Sequence, residues 1–396
     1  MIPKDWRKMR VDEIGSVQGG RQRSPHAKGI LQRYLRVANV QDGFIDASDV
    51  LEMPFTEAEI ERFHLKDGDI LLNEGQSLEL VGRSAMYRGN PPDCCYQNTL
   101  IRFQAGAHVD PEFAQHLFTY CRLSGHFQAI ASRTTSIAHL GVERFASLVV
   151  PVPPVEEQKK ISEVLETWYS AQKFLEEVIT AKEVRRSWLI QQLVTGKRRL
   201  SSFQKPWQTV HLRDVFTNRM EPDHPDLPLV AITGENGVVS RDDLIRRDTS
   251  SEDKSRYLRI CPGDIGYNTM RMWQGVCGLS QLEGIVSPAY TIVTPKDSVD
   301  GEFMALLFKS PTVVHMFHRH SQGLVDDTLN LKWRHFAEIK VTIPEKPEQQ
   351  ALAKVFRAVD QEITLLRDQL DALREQKKGL MQKLLTGKVR VKVSCR

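Results

Sequence analysis

Cysteine is scarce: Cys94, Cys95, Cys121, Cys261, Cys277 and Cys395 are the only six in 396 residues, with no Cys-x-x-Cys and no nearby paired histidines. That excludes a zinc knuckle and gives no disulfide framework, so reduced thiols are expected. No apolar run reaches the roughly 18 residues a membrane span needs. The opening Met1-Ile2-Pro3-Lys4-Asp5-Trp6 has no apolar signal-peptide core, and a cytoplasmic protein is expected. An excess of one charge is lacking too: 54 Lys and Arg stand against 50 Asp and Glu, a net +4, so any nucleic-acid surface has to be local. With 41% hydrophobic and 26% charged residues, the chain is long enough for two or three globular units with their own cores.

Catalytic signatures are missing as well. Asn90-Pro91-Pro92-Asp93 resembles the Asn-Pro-Pro-aromatic motif of amino-methyltransferases, but Asp93 stands where a ring would stack on the target base. No glycine-rich cofactor loop follows a strand upstream of it. Thr195-Gly196-Lys197 is no P-loop, because Gln191 replaces the first glycine and Arg198 the Ser/Thr; it reads as a helix C-cap. Asp69 and Glu74 lie close but lack the following lysine of a metal nuclease, and Asp264 has no acidic partner, so both aspartates read as turn residues. His64, His116, His126, His139, His315, His318, His320 and His335 show no ligand spacing beyond His318-x-His320. The chain is expected to be no enzyme, and no metal site is expected.

What is present is repetition. Thr195-Gly196-Lys197 closes an amphipathic stretch in mid-chain and Thr386-Gly387-Lys388 closes another near the end, 191 positions on (387 − 196). The register holds without a gap back to Glu157-Gln158 and Glu348-Gln349. A long self-similar period means duplication. The rest of each half follows: Trp6 with Val11 and Ile14 matches Trp207 with Leu212 and Val215, a strand-like opening. Gly68-Asp69-Ile70 with Asn73 matches Gly263-Asp264-Ile265 with Asn268, a turn into a strand. Asp110 and Asp300 sit at the N-cap of a short helix, and each half closes on a Pro-bounded strand, 149–154 and 339–344.

The ungapped segments predict helices. Leu352, Val355, Val359, Ile363, Leu366, Leu370, Leu373, Leu380 and Leu384 step by three and four, apart from the step over Lys377, as in a coiled-coil seam. The first copy offers Ile161, Val164, Trp168, Gln172, Leu175, Ile179, Lys182, Arg186, Leu189 and Leu193, a seam interrupted by polar residues that fix register and partner. About forty residues make a rod of roughly 60 Å. If the chain has internal two-fold symmetry, the two rods run antiparallel and act as a ruler. Ile161, Trp168, Leu175, Leu189, Leu193, Leu352, Val359, Leu366, Leu373 and Leu380 are the expected helix and partner interface.

Polar loops recur at matching places in both halves. Arg21, Gln22 and Arg23 follow the first opening segment and Arg219 the second. Gln76 and Arg83 follow the first Gly-Asp strand, Arg271 and Trp273 the second. Arg133, Thr134 and Ser136 precede the closing strand of the first half, and Gln322, Asn330 and Lys332 that of the second. Arginine and glutamine carry paired donors and acceptors that match guanine and adenine edges in the major groove, which makes these the candidate DNA-binding residues. The basic helix ends, Arg185, Arg186, Lys197, Arg198 and Arg199 with Lys377, Lys378, Lys383, Lys388 and Arg390, are either phosphate contacts or the exposed face of a coiled coil.

This order of features resembles the specificity subunits of type I restriction-modification systems, over nearly the whole chain. The carriers are the Trp-led segments at Trp6 and Trp207, the Gly-Asp-Ile strands at Gly68 and Gly263, the junction Val152-Pro153-Pro154-Val155-Glu156-Glu157-Gln158, and the ending Leu189 through Lys197. The second copy keeps them less fully, with Pro347-Glu348-Gln349 and Leu380 through Lys388. The resemblance implies an α+β protein: two similar mixed α/β target-recognition domains, residues 1–153 and 201–346, joined by two long antiparallel coiled-coil helices, 154–200 and 347–396, in an internal pseudo-two-fold repeat. It implies double-stranded DNA as ligand, each domain reading half of a split site across an unread spacer. It also implies two modification (methyltransferase) subunits and restriction/translocase subunits as partners. No cofactor is expected in this chain; S-adenosylmethionine, ATP and Mg are expected in the partner subunits. Two other readings stay open: a specificity module of a type II-like methyltransferase system, and a coiled-coil protein scaffold that binds no DNA.

Overall fold

The computed structural model describes residues 2–392 except 23, 25–27, 135–136, 235, 245–252 and 326–327. The predicted Arg23, Ser136 and Cys395 fall outside the described residues. The chain divides into two compact units, Met1–Glu176 with Asp368–Arg396, and Glu177–Arg367. Each unit holds a large hydrophobic core with a smaller one beside it, and about half of each long helix.

In unit 1 a four-stranded antiparallel sheet runs in the order Gly15–Gly19, Leu100–Ala105, Ile70–Asn73, Ser84–Met86. In unit 2 the corresponding sheet is Phe216–Arg219, Tyr290–Pro295, Ile265–Asn268, Cys277–Leu279, in the same order. Their central strands are apolar because both faces are covered: Ile70, Leu71 and Leu72 are buried, as are Ile265 and Tyr267. A two-stranded ladder closes each unit, Arg7–Arg10 on Val149–Val152 and Gln208–His211 on Lys340–Ile343. The Trp-led openings are thus strands, but Val11 and Ile14 lie on a helical turn that follows, as Leu212 and Val215 do. Three-residue spacing puts both apolar side chains of each pair on the inward side of that turn, where an alternating strand would have split them.

Outside the shared frame the units differ. Unit 1 adds a sheet of Leu51–Phe55, Ile30–Leu35 and Cys94–Tyr96, in which Ile30–Leu35 and Cys94–Tyr96 are parallel. Unit 2 has at this level the hairpin Val230–Thr233 with Gly237–Ser240 and the pair Leu258–Ile260 with Gly284–Val286.

The predicted helices are Val155–Leu189, continued by a π-helical turn Ile190–Val194, and Lys346–Leu385. Within unit 1 their segments are antiparallel, with Gln172 facing Lys377 (3.1 Å) and Glu176 facing Arg374 (2.7 Å). Within unit 2 Lys182 faces Glu362 (2.5 Å) and Glu183 faces Arg367 (2.5 Å). The polar seam positions are therefore cross-paired: Gln172 accepts from Lys377, the residue that broke the second heptad run, and Arg186 is held by Asp360 at 3.0 Å. The seam accounts for only part of the apolar surface. Ile161, Leu165, Met381, Leu384 and Leu385 enter the core of unit 1, and Ile190, Val194, Leu352 and Phe356 that of unit 2. Trp168, Leu175, Leu189, Leu193, Val359, Leu366, Leu373 and Leu380 are half-buried. A stripe this broad packs against a globular body as well as a partner helix, so Leu165 and Phe356, which lie off the heptad positions, are among the best buried.

Candidate nucleic-acid interface

Both units attach their helices by the same device. Glu157, 2% exposed, accepts from the indole of Trp6 (Nε1 to Oε2, 3.0 Å) and from both Nε and Nη2 of Arg390 at 2.6 and 2.7 Å. Glu348, 1% exposed, accepts from Trp207 (3.3 Å) and from Nε and Nη2 of Arg199 at 3.1 and 2.6 Å. The neighbouring glutamines repeat too: Gln158 Oε1 accepts from the Asp110 amide and Gln349 Oε1 from the Asp300 amide, each at 2.8 Å. Asp110 and Asp300 in turn cap the Pro111–Leu123 and Gly301–Phe308 helices through the amides of Phe113 and Phe303, both at 2.9 Å. The Glu-Gln dipeptide of each half thus fixes the opening tryptophan, the segment beyond the other helix's C-cap and a domain helix to one point. Of the basic residues at the helix ends, Arg199, Arg390 and Arg186 are ion-paired within the protein and Lys377 donates to Gln172.

The buried Gly-Asp aspartates do more than turn the chain. Asp69 Oδ2 accepts the Lys66 amide (2.9 Å), as a turn residue should, and Oδ1 accepts from Gln104 (2.8 Å) with Arg102 3.8 Å away. Asp264 accepts the Cys261 amide (2.8 Å), Thr294 (2.6 Å) and Arg219 Nε (2.7 Å). One carboxylate position is neutralised in the two units by arginines from different strands.

The candidate DNA residues separate by environment. Arg21 is 10% exposed in its side chain, ion-paired to Glu59 (2.9 Å) and stacked over Phe55 (5.0 Å); the ion pair holds the Glu59 carboxyl below its usual range. Arg83 donates to Gln41 (2.9 Å), and Arg219 bridges Asp264 and Glu221 (2.6 Å). These three are internal struts. Gln22, Arg133, Thr134, Arg271, Gln322 and Lys332 are exposed; Gln76, Trp273 and Asn330 are half-buried. Trp273 donates to the Met270 carbonyl (3.1 Å) and meets His318 edge to face (5.8 Å).

The structure brings the second and third loops of each half together. In unit 1 the Leu140 amide donates to Glu74 O (2.8 Å), and Gly75–Gln76 joins Ala138–His139 and Ser132–Arg133 in a three-stranded antiparallel ribbon. In unit 2 the Leu331 amide donates to Thr269 O (2.8 Å), and Gln322 bridges Asn330. Gln76, Arg133 and Thr134 thus share one surface, and Arg271, Trp273, Gln322, Asn330 and Lys332 belong to a second set of linked loops. Sequence reasoning passed over Arg144 and weighed Glu74 and His139 only as metal ligands; the three hold the ribbon. Two-residue strands give no periodic signal.

Among the described residues no group of three or more His, Cys, Asp or Glu could hold a metal ion, and no helix is long and apolar enough to cross a membrane. Asn90-Pro91-Pro92-Asp93 forms a turn in which Tyr87 donates to the Pro91 carbonyl.

Residues 3–182 match the family model described as the type I restriction modification DNA specificity domain. Over 99% of this chain and 95% of the relative, the sequence is 23% identical to the putative type I restriction enzyme MjaX specificity subunit of Methanocaldococcus jannaschii. It is 21% identical to that organism's type I restriction enzyme MjaVIII specificity subunit, covering 99% and 94%. The fold matches a solved chain from work on complex assembly and conformational transition of the type I R-M system, with TM-score 0.63, 15% identity and coverage of 98% and 100%. The first half of the chain thus matches the DNA specificity domain of type I restriction-modification systems, and nearly the whole chain is similar to type I restriction enzyme specificity subunits.

Proposed function

We propose that this chain is the DNA sequence-recognition subunit of a type I restriction-modification enzyme, each unit reading one half of a bipartite asymmetric site. The observation that carries this reading is the duplicated frame: two sheets of one strand order, hung on twin Trp-Glu-Arg nodes, with different loops on each. A scaffold made twice with divergent loops suits a ligand of two unlike halves. The helix pair sets the unread spacer and offers its outer face to two modification subunits, with restriction/translocase subunits joining them in the cytoplasm. The chain itself is non-catalytic in this reading. S-adenosylmethionine, ATP and Mg belong to the partners.

The experiment is methylation mapping of DNA from cells that express this chain with its modification subunit. A bipartite motif with a fixed gap, appearing only when the chain is present, is the expected result. Methylation by an active modification subunit that does not depend on this chain would overturn it. Binding to the mapped site should also fall steeply with salt, since counterions released from phosphates drive association.

A further inference from the structure

We propose that the three-stranded ribbon of residues 75–76, 132–133 and 138–139 is the element by which unit 1 enters the DNA major groove, and that Arg144 positions it. The inference rests on the DNA-reading function proposed above. In the ribbon's register Arg133 lies opposite Ala138, and Ala138 lies opposite Gln76. Two strand spacings separate the arginine from the glutamine, about 10 Å. That is roughly the rise of three base pairs at 3.4 Å each, and a major groove about 12 Å wide admits a two-stranded β-ribbon, so strands 132–133 and 138–139 would enter it with strand 75–76 at its rim. Arginine suits the paired acceptors of guanine, and glutamine the donor and acceptor of adenine.

A ribbon of two-residue strands is too short to hold its own geometry. Here it is latched from outside. Phe145 is fully buried against Phe118 and Phe127, with ring centroids 5.0 and 5.8 Å away, which fixes the Val142–Ala146 helical turn to the core. From that turn Arg144 reaches back over Gly141, whose φ of 72° suits glycine. Arg144 Nε donates to Leu140 O (3.0 Å), and Nη2 donates to His139 O (2.9 Å) and Ser132 Oγ (3.0 Å). One guanidinium therefore ties both strands of the hairpin to the core. On the other side Glu74 Oε2 meets His139 Nδ1 at 3.0 Å, joining the hairpin to the strand that carries Gln76. Counting from the buried Phe145 and Phe336, the place of Arg144 is taken in unit 2 by His335, which accepts from Arg334 instead. Among the described residues the latch belongs to unit 1 alone, so its loss should be felt in one half-site alone.

The test uses the full chain in complex with its modification subunits, S-adenosylmethionine and a panel of duplexes carrying every single-base substitution across the mapped site. Arg133→Ala and Arg144→Ala should lose discrimination by about tenfold or more at the same base positions of one half-site, the worth of one good bidentate contact, with the other half read as before. Arg144→Lys should fall between Arg144→Ala and the parent. If Arg144→Ala fails to fold, Ser132→Ala, which removes one of the three acceptors, carries the same expectation more weakly. A profile unchanged by Arg144→Ala overturns the proposal, as does equal loss in both halves, the mark of a merely structural residue. A profile unchanged by Arg133→Ala, on a parent complex that still discriminates, overturns the ribbon as reader and leaves the DNA-reading function standing. A parent complex without sequence discrimination overturns both.

Discussion

Arg390 donates to both carboxylate oxygens of Glu157, at 2.6 and 2.7 Å, across 233 positions of sequence. Arg199 repeats the geometry on Glu348 in the other unit. The carboxylate end is buried and the guanidinium end is 42% exposed in unit 1, where Asp5 also accepts from Arg390 at 2.7 Å. Hydrogen bonds to Glu157 and Asp5 hold the Arg390 pKa above its ordinary value.

Removing Arg390 leaves a buried carboxylate with the Trp6 indole as its remaining side-chain donor among the described residues. Breaking a buried pair costs about 3–5 kcal/mol, and solvent at the guanidinium end reduces this, so Arg390→Met should destabilise unit 1 by about 1–3 kcal/mol. Hydrogen exchange of the unit 1 core amides against urea measures it. A double-mutant cycle with Glu157→Gln should show coupling of about 1 kcal/mol or more. Additive losses would mean that the pair is not a unit.

Arg21→Ala tests the strut reading. Its guanidinium pairs with Glu59 and stacks on Phe55. If Arg21 works inside the fold, Glu59→Ala and Arg21→Ala should weaken the same half-site to the same degree, and the double variant should be no worse than either. Normal reading by Glu59→Ala beside a defective Arg21→Ala would return Arg21 to direct base contact.

These cases show what was readable in the chain. The Glu157-Gln158 and Glu348-Gln349 pairs stood out because an ungapped 191-residue register can be seen without any structure. What the register protects, a Trp6 to Glu157 hydrogen bond over 151 positions, could not be seen, because sequence periodicity reports local geometry only. The same limit hid the internal partners of the arginines. An arginine in a polar loop has the same one-letter signature whether it meets a base or a glutamate, and Glu59 lies outside any window around Arg21. The helices were legible from their apolar steps. The π-helical turn Ile190–Val194 and the off-register Leu165 and Phe356 were not, because the globular cores that claim them are built from distant strands.

Gly196 and Gly387 end the two helices with φ of 74° and 71°. An alanine in this left-handed region costs about 1–2 kcal/mol. The neighbours differ: a Cβ at 387 would meet Pro3 Cδ at 2.4 Å, while one at 196 would meet the Trp207 ring at 3.1 Å. Gly387→Ala should therefore lower the melting temperature more than Gly196→Ala. Equal shifts would show that Pro3 moves aside freely.

His116 makes unit 1 sensitive to acid. It lies on the Pro111–Leu123 helix, 8% exposed, with no hydrogen-bond partner for Nε2 among the described residues. Burial, helped by the nearby Lys377 charge, lowers its pKa from 6.5 to about 4. The unfolded chain takes up a proton near pH 6.5 and the folded chain does so only near pH 4, so the unfolded state binds more protons between those values. Stability from this group is complete above pH 6.5 and is lost as pH falls through that window, by about 2 kcal/mol at pH 5. The second half of the chain suggests the variant. Leu306 stands six residues after its N-cap Asp300, as His116 does after Asp110. His116→Leu should leave unit 1 about 2 kcal/mol less sensitive to a change from pH 7.5 to 5, read by hydrogen exchange on the Pro111–Leu123 helix. Parallel acid profiles for the two proteins would place the titrating group elsewhere.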